Sequence, residues 1–194
     1  MLRVEQAEPW LYPYVPAAGD LALDVGASYG AWSEMLMLRF GEVWAIEPHP
    51  EAAKELRRLD GLRVIECAAS RREGPLTLNL YAHSWHASLA EHDRDALPAR
   101  GAPVGECAVR GMPIDDLVRD RQVDFVKIDV EGWEAAALEG ADKTLRQSRP
   151  TLIIEVHWAD RSAITKHLVS LGYLVEHVEL AEIDYVCWLV ARAS

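Results

Sequence analysis

Positive charge is scarce in this 194-residue chain. Its 20 Lys and Arg stand against 31 Asp and Glu, for a formal net charge of -11. A basic surface for nucleic acid or anionic membranes is therefore not expected. Cysteine is nearly missing too: Cys67, Cys107 and Cys187 are scattered, without a Cys-x-x-Cys spacing. That argues against structural zinc and fits thiols in a reducing cytoplasm. No apolar run approaches the ~20 residues a membrane helix needs. The stretch before Pro16 carries Arg3, Glu5 and Glu8 and lacks the apolar centre of a secretory signal. Gly-x-Gly-x-x-Gly, Tyr-x-x-x-Lys and Asn-Pro-Pro-aromatic blocks are absent, as are internal repeats. The expectation is a cytoplasmic protein with no nucleic-acid partner and no membrane span. The sequence leaves the oligomeric state open, with a homodimer as one option.

Hydrophobic residues make up 50% of the chain, enough for a packed core. Residues 1–19 read as an irregular lead-in, broken by Pro9, Pro13 and Pro16. Short apolar runs then alternate with helical spacings. Strands are expected at 21–25, 43–46, 63–67, 123–129 and 151–157. Helices are expected at 32–39, with Gly41 as its C-cap, and at 50–59, 115–119, 134–146 and 162–171. The last two strands, 173–178 and 185–191, are too close for a crossover helix and should pair antiparallel. Residues 74–112 interrupt this order as a small β insertion, a strand pair around a polar loop at 83–100. That loop, with Trp85 and His86, is a candidate lid. The predicted fold is α/β and Rossmann-like: a doubly wound, mostly parallel seven-stranded sheet with an antiparallel C-terminal hairpin strand. It is expected to form one domain over residues 1–194.

The first turn, Asp24-Val25-Gly26-Ala27-Ser28-Tyr29-Gly30, follows a strand and opens a helix. Gly26 permits a sharp bend and bare backbone, Ala27 keeps the surface small, and Gly30 allows close packing at the helix start. The spacing is Gly-x-x-x-Gly after an acid, which does not suit a pyrophosphate. It suits S-adenosylmethionine, whose positive groups Asp24 complements. Glu47 lies about twenty residues on, at the end of the second strand, where a carboxylate accepts from ribose hydroxyls. Ala69, after the third strand, is where the adenine should lie.

A second acidic group ends strands four and five. Asp129 and Glu131 follow one, and Glu155 and His157 end the other. Both ends face the ligand crevice of a doubly wound sheet. Together they could remove a proton from a hydroxyl during methyl transfer. His157 is the leading base, with Glu131 or Asp129 second. Two plainer readings compete: His157 as a structural histidine, and Glu155 as the partner of Lys127. Asp129, Glu155 and His157 also resemble a hard-metal set, so Mg2+ is an alternative, although a metal-free site is expected. Trp85, Trp133 and Trp158 lie near the crevice in sequence order and could face a sugar ring.

Taken together, Leu23-Asp24-Val25-Gly26-Ala27, Glu47-Pro48-His49-Pro50, Ile114-Asp115-Asp116-Leu117, Asp124 through Gly132 and Pro150 through His157 resemble the FkbM-type methyltransferases of the class I fold. The resemblance runs from about Gly19 to Tyr173, and the Lys127-to-Gly132 block is its most specific part. It implies cofactor contacts at Gly26, Ala27, Gly30 and Glu47, and a methionine-side contact near Asp129. It also implies O-methylation of a hydroxyl, often on a sugar or polyketide-like product, with S-adenosylhomocysteine as the product. The family usually has Asn where this chain has Ser28. The rival readings are a noncatalytic binding protein that keeps the fold and an NAD-dependent oxidoreductase.

Overall fold

The computed structural model describes residues 8–81, 87–89, 103–178 and 186–194. Among them a short 3-10 turn, Pro9–Tyr14, precedes β1, Gly19–Val25. Then come α1 (Ala31–Met37), β2 (Phe40–Ile46), α2 (Pro50–Leu56) and β3 (Arg63–Ile65). The middle holds β4 (Ala68–Ala69), β5 (Gly74–Leu80), β6 (Ala87–Ser88) and β7 (Gly105–Met112). The second half runs α3 (Ile114–Val118), β8 (Phe125–Ile128), α4 (Glu134–Glu139), α5 (Asp142–Gln147), β9 (Thr151–His157), α6 (Arg161–Ser170), β10 (Tyr173–Val178) and β11 (Val186–Ala193).

Seven strands form the main sheet in the order β10-β11-β9-β8-β1-β2-β3. The pairs from β9 to β3 are parallel, and β11 lies antiparallel between β9 and β10. This is the expected doubly wound sheet with its antiparallel C-terminal pair. The central strands are apolar on both faces, as buried parallel strands must be. On one face Leu23, Val25, Val126, Ile128, Ile154 and Val156 pack with Ile114, Leu138, Ile164 and Leu168 of the later helices. On the other, Ala22, Phe125, Ile153 and Trp188 meet Leu11, Trp32 and Leu36 of the 3-10 turn and α1.

The insertion is larger than the predicted strand pair. β5 and β7 do pair antiparallel, from Gly74 opposite Gly111 to Leu80 opposite Gly105. Two-residue strands extend them into a four-stranded sheet, β4-β7-β5-β6. Most of the expected lid loop, including Trp85 and His86, lies outside the described residues.

Two helix expectations are corrected. Gly41 does not cap α1, because the chain has already turned and Gly41 lies inside β2. The helix predicted over 134–146 is two helices broken at Gly140 and Ala141. A Cβ at Gly140 would sit 2.0 Å from the Ser70 carbonyl oxygen, so the backbones of two elements meet there. Asp115 then caps the new helix from outside: its carboxylate accepts from the amides of Lys143 (2.9 Å) and Thr144 (2.8 Å). The Ile114–Leu117 block is thus architectural. Among the described residues no helix is long and apolar enough to cross a membrane.

Candidate functional site

Strand alternation places Asp24, Lys127 and Glu155 on the same face of the sheet as Ala22, Phe125, Ile153 and Trp188. All three sit at the carboxyl ends of their strands, where the apolar face gives way to charge. Asp24 is 0% exposed, Ser33 Oγ donates to its Oδ2 at 2.7 Å, and Lys127 Nζ stands 3.4 Å from its Oδ1. The same ammonium donates to the Gly26 carbonyl at 2.8 Å and pairs with Asp129 at 3.3 Å. Burial disfavours the charge on Lys127, but Asp129 and Asp24 outweigh it and hold the ammonium above an ordinary lysine. The plain expectation that Glu155 pairs with Lys127 is therefore corrected: the ion-pair partners of Lys127 are Asp24 and Asp129.

The glycine turn is built against this lysine. Gly26 has φ 76°, and a Cβ there would lie 1.8 Å from the Asp129 carbonyl oxygen. Its bareness serves a backbone-to-backbone contact between the turn and the loop after β8 rather than an open ligand surface. Gly30 has φ 94°, and a Cβ there would press on Leu56 and Leu59, so it provides the expected close packing. Ala27 is buried beside Leu56 and Ala45. Ser28 has φ 49°, a left-handed conformation in which Asn is far commoner than Ser. Its contribution is the backbone amide, which donates to Glu47 Oε2 at 2.9 Å. An ordinary side chain at such a position costs about 1–2 kcal/mol. Ser28→Asn should recover about 0.5–1 kcal/mol and raise Tm by about 1–4 °C. A thermal melt that is unchanged or lower would contradict this account.

Glu47 directly follows β2 and is 6% exposed. Its second oxygen accepts from the His49 amide at 2.7 Å, and His49 in turn caps α2 through Nδ1. Burial pushes the Glu47 carboxyl up to about 7, against the pull of the His49 and Ser28 amides. Ala69 lies in β4, with its side chain in the main core.

Across the crevice, Asp129, Glu131 and Glu155 bring one carboxylate oxygen each within 4.8 Å of one another. Glu155 is raised well above an ordinary glutamate, first by burial and then by the charges of Asp129 and Glu131. His157 ends the same strand but its ring does not join this group. Two residues outside the candidate base and cofactor set border this group, one of them named from the sequence only as a partner for Glu155. Lys127 is one; a lysine inside Phe125-Val126-Lys127-Ile128 signals a buried charge that needs partners. Glu134 is the other, 2% exposed and accepting from the Gly132 amide at 2.9 Å. Trp133 packs against the second sheet near Ala68, Leu78 and Leu89, and its indole N–H is buried without an acceptor among the described residues. Trp158 is 36% exposed, with the Arg161 guanidinium 4.1 Å above its ring.

Similarity to known proteins agrees with this architecture. A methyltransferase FkbM of Methylobacillus flagellatus KT superposes with a TM-score of 0.68 at 20% identity, over 94% of this chain and 46% of that one. The present chain thus spans about half the length of that relative. A candidate methyltransferase of Streptococcus mutans, in complex with S-adenosylhomocysteine (SAH), matches with a TM-score of 0.57 at 12% identity, over 96% and 99% of the two chains. Magnesium protoporphyrin IX methyltransferase of Synechocystis PCC 6803, with bound S-adenosylmethionine (SAM), matches at 0.56 and 13%, over 95% and 75%. At such identities the likeness establishes the fold. Among curated proteins there is no match. The model of the methyltransferase FkbM domain matches residues 24–185, most of the chain. The chain belongs to the FkbM methyltransferase domain family.

Proposed function

We propose that this chain transfers a methyl group from SAM to a hydroxyl oxygen of a sugar, glycan or secondary metabolite, with residues 1–194 acting as one catalytic unit. The observation that carries this reading is the placement of two acidic stations around one glycine turn. Glu47 stands on the β2 side, and the Asp129–Glu131–Glu155 trio stands on the β8–β9 side.

The residues fit the cofactor. Each Glu47 oxygen holds one backbone amide, which leaves lone pairs for ribose hydroxyls. Gly26, Ala27, Ser28 and Gly30 supply the backbone of the turn. Asp24 is sealed from solvent and acts through Lys127, which fixes the Gly26 carbonyl. Asp129 borders the methionine end. SAM supplies an electrophilic methyl on a sulfonium leaving group. Glu155 receives the acceptor's proton as its oxygen bonds the methyl carbon; the sulfur keeps the electron pair of the broken bond. The raised carboxyl of Glu155 makes it a stronger base than an ordinary glutamate. This favours the carboxylate trio over His157, which is left to orient the acceptor. An acidic crevice in an acidic chain disfavours phosphorylated acceptors.

Calorimetry tests the cofactor half directly. Glu47 must ionise to accept both ribose hydroxyls, so SAH affinity should rise as pH climbs through about 7. Between pH 6 and pH 8 the ionised fraction goes from about a tenth to about nine-tenths, an approximately tenfold gain in affinity. Asp24 and Lys127 also act on Glu47, so Glu47→Gln is the control: it should weaken binding and flatten the profile. Binding of NAD in place of SAH would discard the reading.

A further inference from the structure

The loop between β8 and α4 is held in an uncommon shape. Glu131 has φ 55° and Gly132 has φ 95°, two left-handed residues in succession. A glutamate does not adopt that conformation without outside support. Three contacts surround the loop. Lys127 pairs with Asp129 at its start, and Trp133 packs into the second sheet at its end. In the middle, the Gly132 amide donates to Glu134 Oε1 at 2.9 Å. Glu134 is 2% exposed, so its carboxyl is removed from solvent within the field of Asp129 and Glu131. Burying a carboxyl there is costly unless that hydrogen bond matters.

We infer that Glu134 is a positioning residue for methyl transfer, holding the Gly132 amide so that Glu131 stays in the trio with Asp129 and Glu155. This rests on the proposed reading of that trio. Glu134 does not touch the glycine turn or Glu47 through any contact described above, so its effect should fall on turnover and spare cofactor binding. Burial pushes the Glu134 carboxyl up to about 7, yet the contact uses only an acceptor oxygen, which the neutral acid also offers. Glutamine offers the same oxygen.

The experiment compares wild type, E134A and E134Q in three measurements. The first is the rate of label transfer from methyl-labelled SAM into an extract of the source organism at saturating SAM. The second is SAH affinity by calorimetry, and the third is hydrogen exchange of the Gly132 amide. E134A should slow transfer about a hundredfold, the scale expected for a misplaced reacting group, with SAH affinity within threefold of wild type. E134Q should restore the rate to within about fivefold and keep the Gly132 amide protected. Equal rates in E134A and wild type would overturn the inference, as would an E134Q no better than E134A or a parallel loss of SAH affinity. If wild type labels nothing, the methyl-transfer reading fails on its own, and Gly132 exchange still decides the positioning claim. An amide unprotected in wild type, or equally protected in E134A, ends it. Should E134A not fold, E134Q against wild type carries the comparison: a rate loss above tenfold with the Gly132 amide still protected, or a wild-type rate with that amide unprotected, would refute it.

Discussion

Glu155→Gln is expected to lower the rate of methyl transfer by about 10²–10⁴, the usual worth of a positioned general base. The substitution keeps the shape of the side chain and removes its capacity to take a proton. SAH affinity should stay near the wild-type value, because Glu47 and the 26–30 turn are untouched. Wild-type activity should fall as pH drops through a value well above that of an ordinary glutamate, since burial and the neighbouring charges of Asp129 and Glu131 favour the protonated form. The variant should show a low rate with that limb missing. The same extract-labelling assay across pH 5–9 reads both effects. His157→Gln should cost much less; a larger loss there than at Glu155 would transfer the base role to the histidine.

Lys127→Met is expected to produce the largest stability defect of any single change in the site. The methionine fills a similar volume but leaves Asp24, 0% exposed, without its counter-charge. Breaking one side of a buried ion pair typically costs about 3–5 kcal/mol. For a chain of this length that lowers Tm by about 6–20 °C. Because the lost charge, and not lost packing, is the cause, the double variant Asp24→Asn with Lys127→Met should regain a large part of the deficit. Urea unfolding of the two variants would test this. A double variant as unstable as the single one would show that the ammonium's bond to the Gly26 carbonyl, and not its neutralisation of Asp24, carries the stability.

Much of this architecture can be read along the chain because buried parallel strands are short apolar runs ended by glycine or acid. Val25-Gly26, Ile46-Glu47 and Ile128-Asp129 each mark where a strand meets the crevice, and the structure places all three at the same end of the sheet. What escaped the sequence depends on distance across the fold. Gly41 looks like a helix cap, but only the packing of Phe40 beside Phe125, ring centroids 5.8 Å apart, shows that β2 has already begun. The break at Gly140 comes from the Ser70 carbonyl, seventy positions away in sequence. β4 and β6 are two residues each, too short to show an alternation. Glu134 reads as an ordinary charged residue until burial is known, and the partners of Lys127, Asp24 and Asp129, emerge only from the fold. Adjacency in sequence sets His157 beside Glu155 as a candidate base, and the fold adds that oxygens of Asp129, Glu131 and Glu155 lie within 4.8 Å of one another.

The interposed position of β11 has a consequence for synthesis. β9 and β10 leave the ribosome first, yet neither can pair with the other, because the slot between them belongs to Val186–Ala193. Until that segment emerges, the nascent sheet carries a raw ladder edge on β9, open to pairing with foreign chains. Chaperone capture during translation should therefore peak in the interval between these two stretches and end once the final strand slides home.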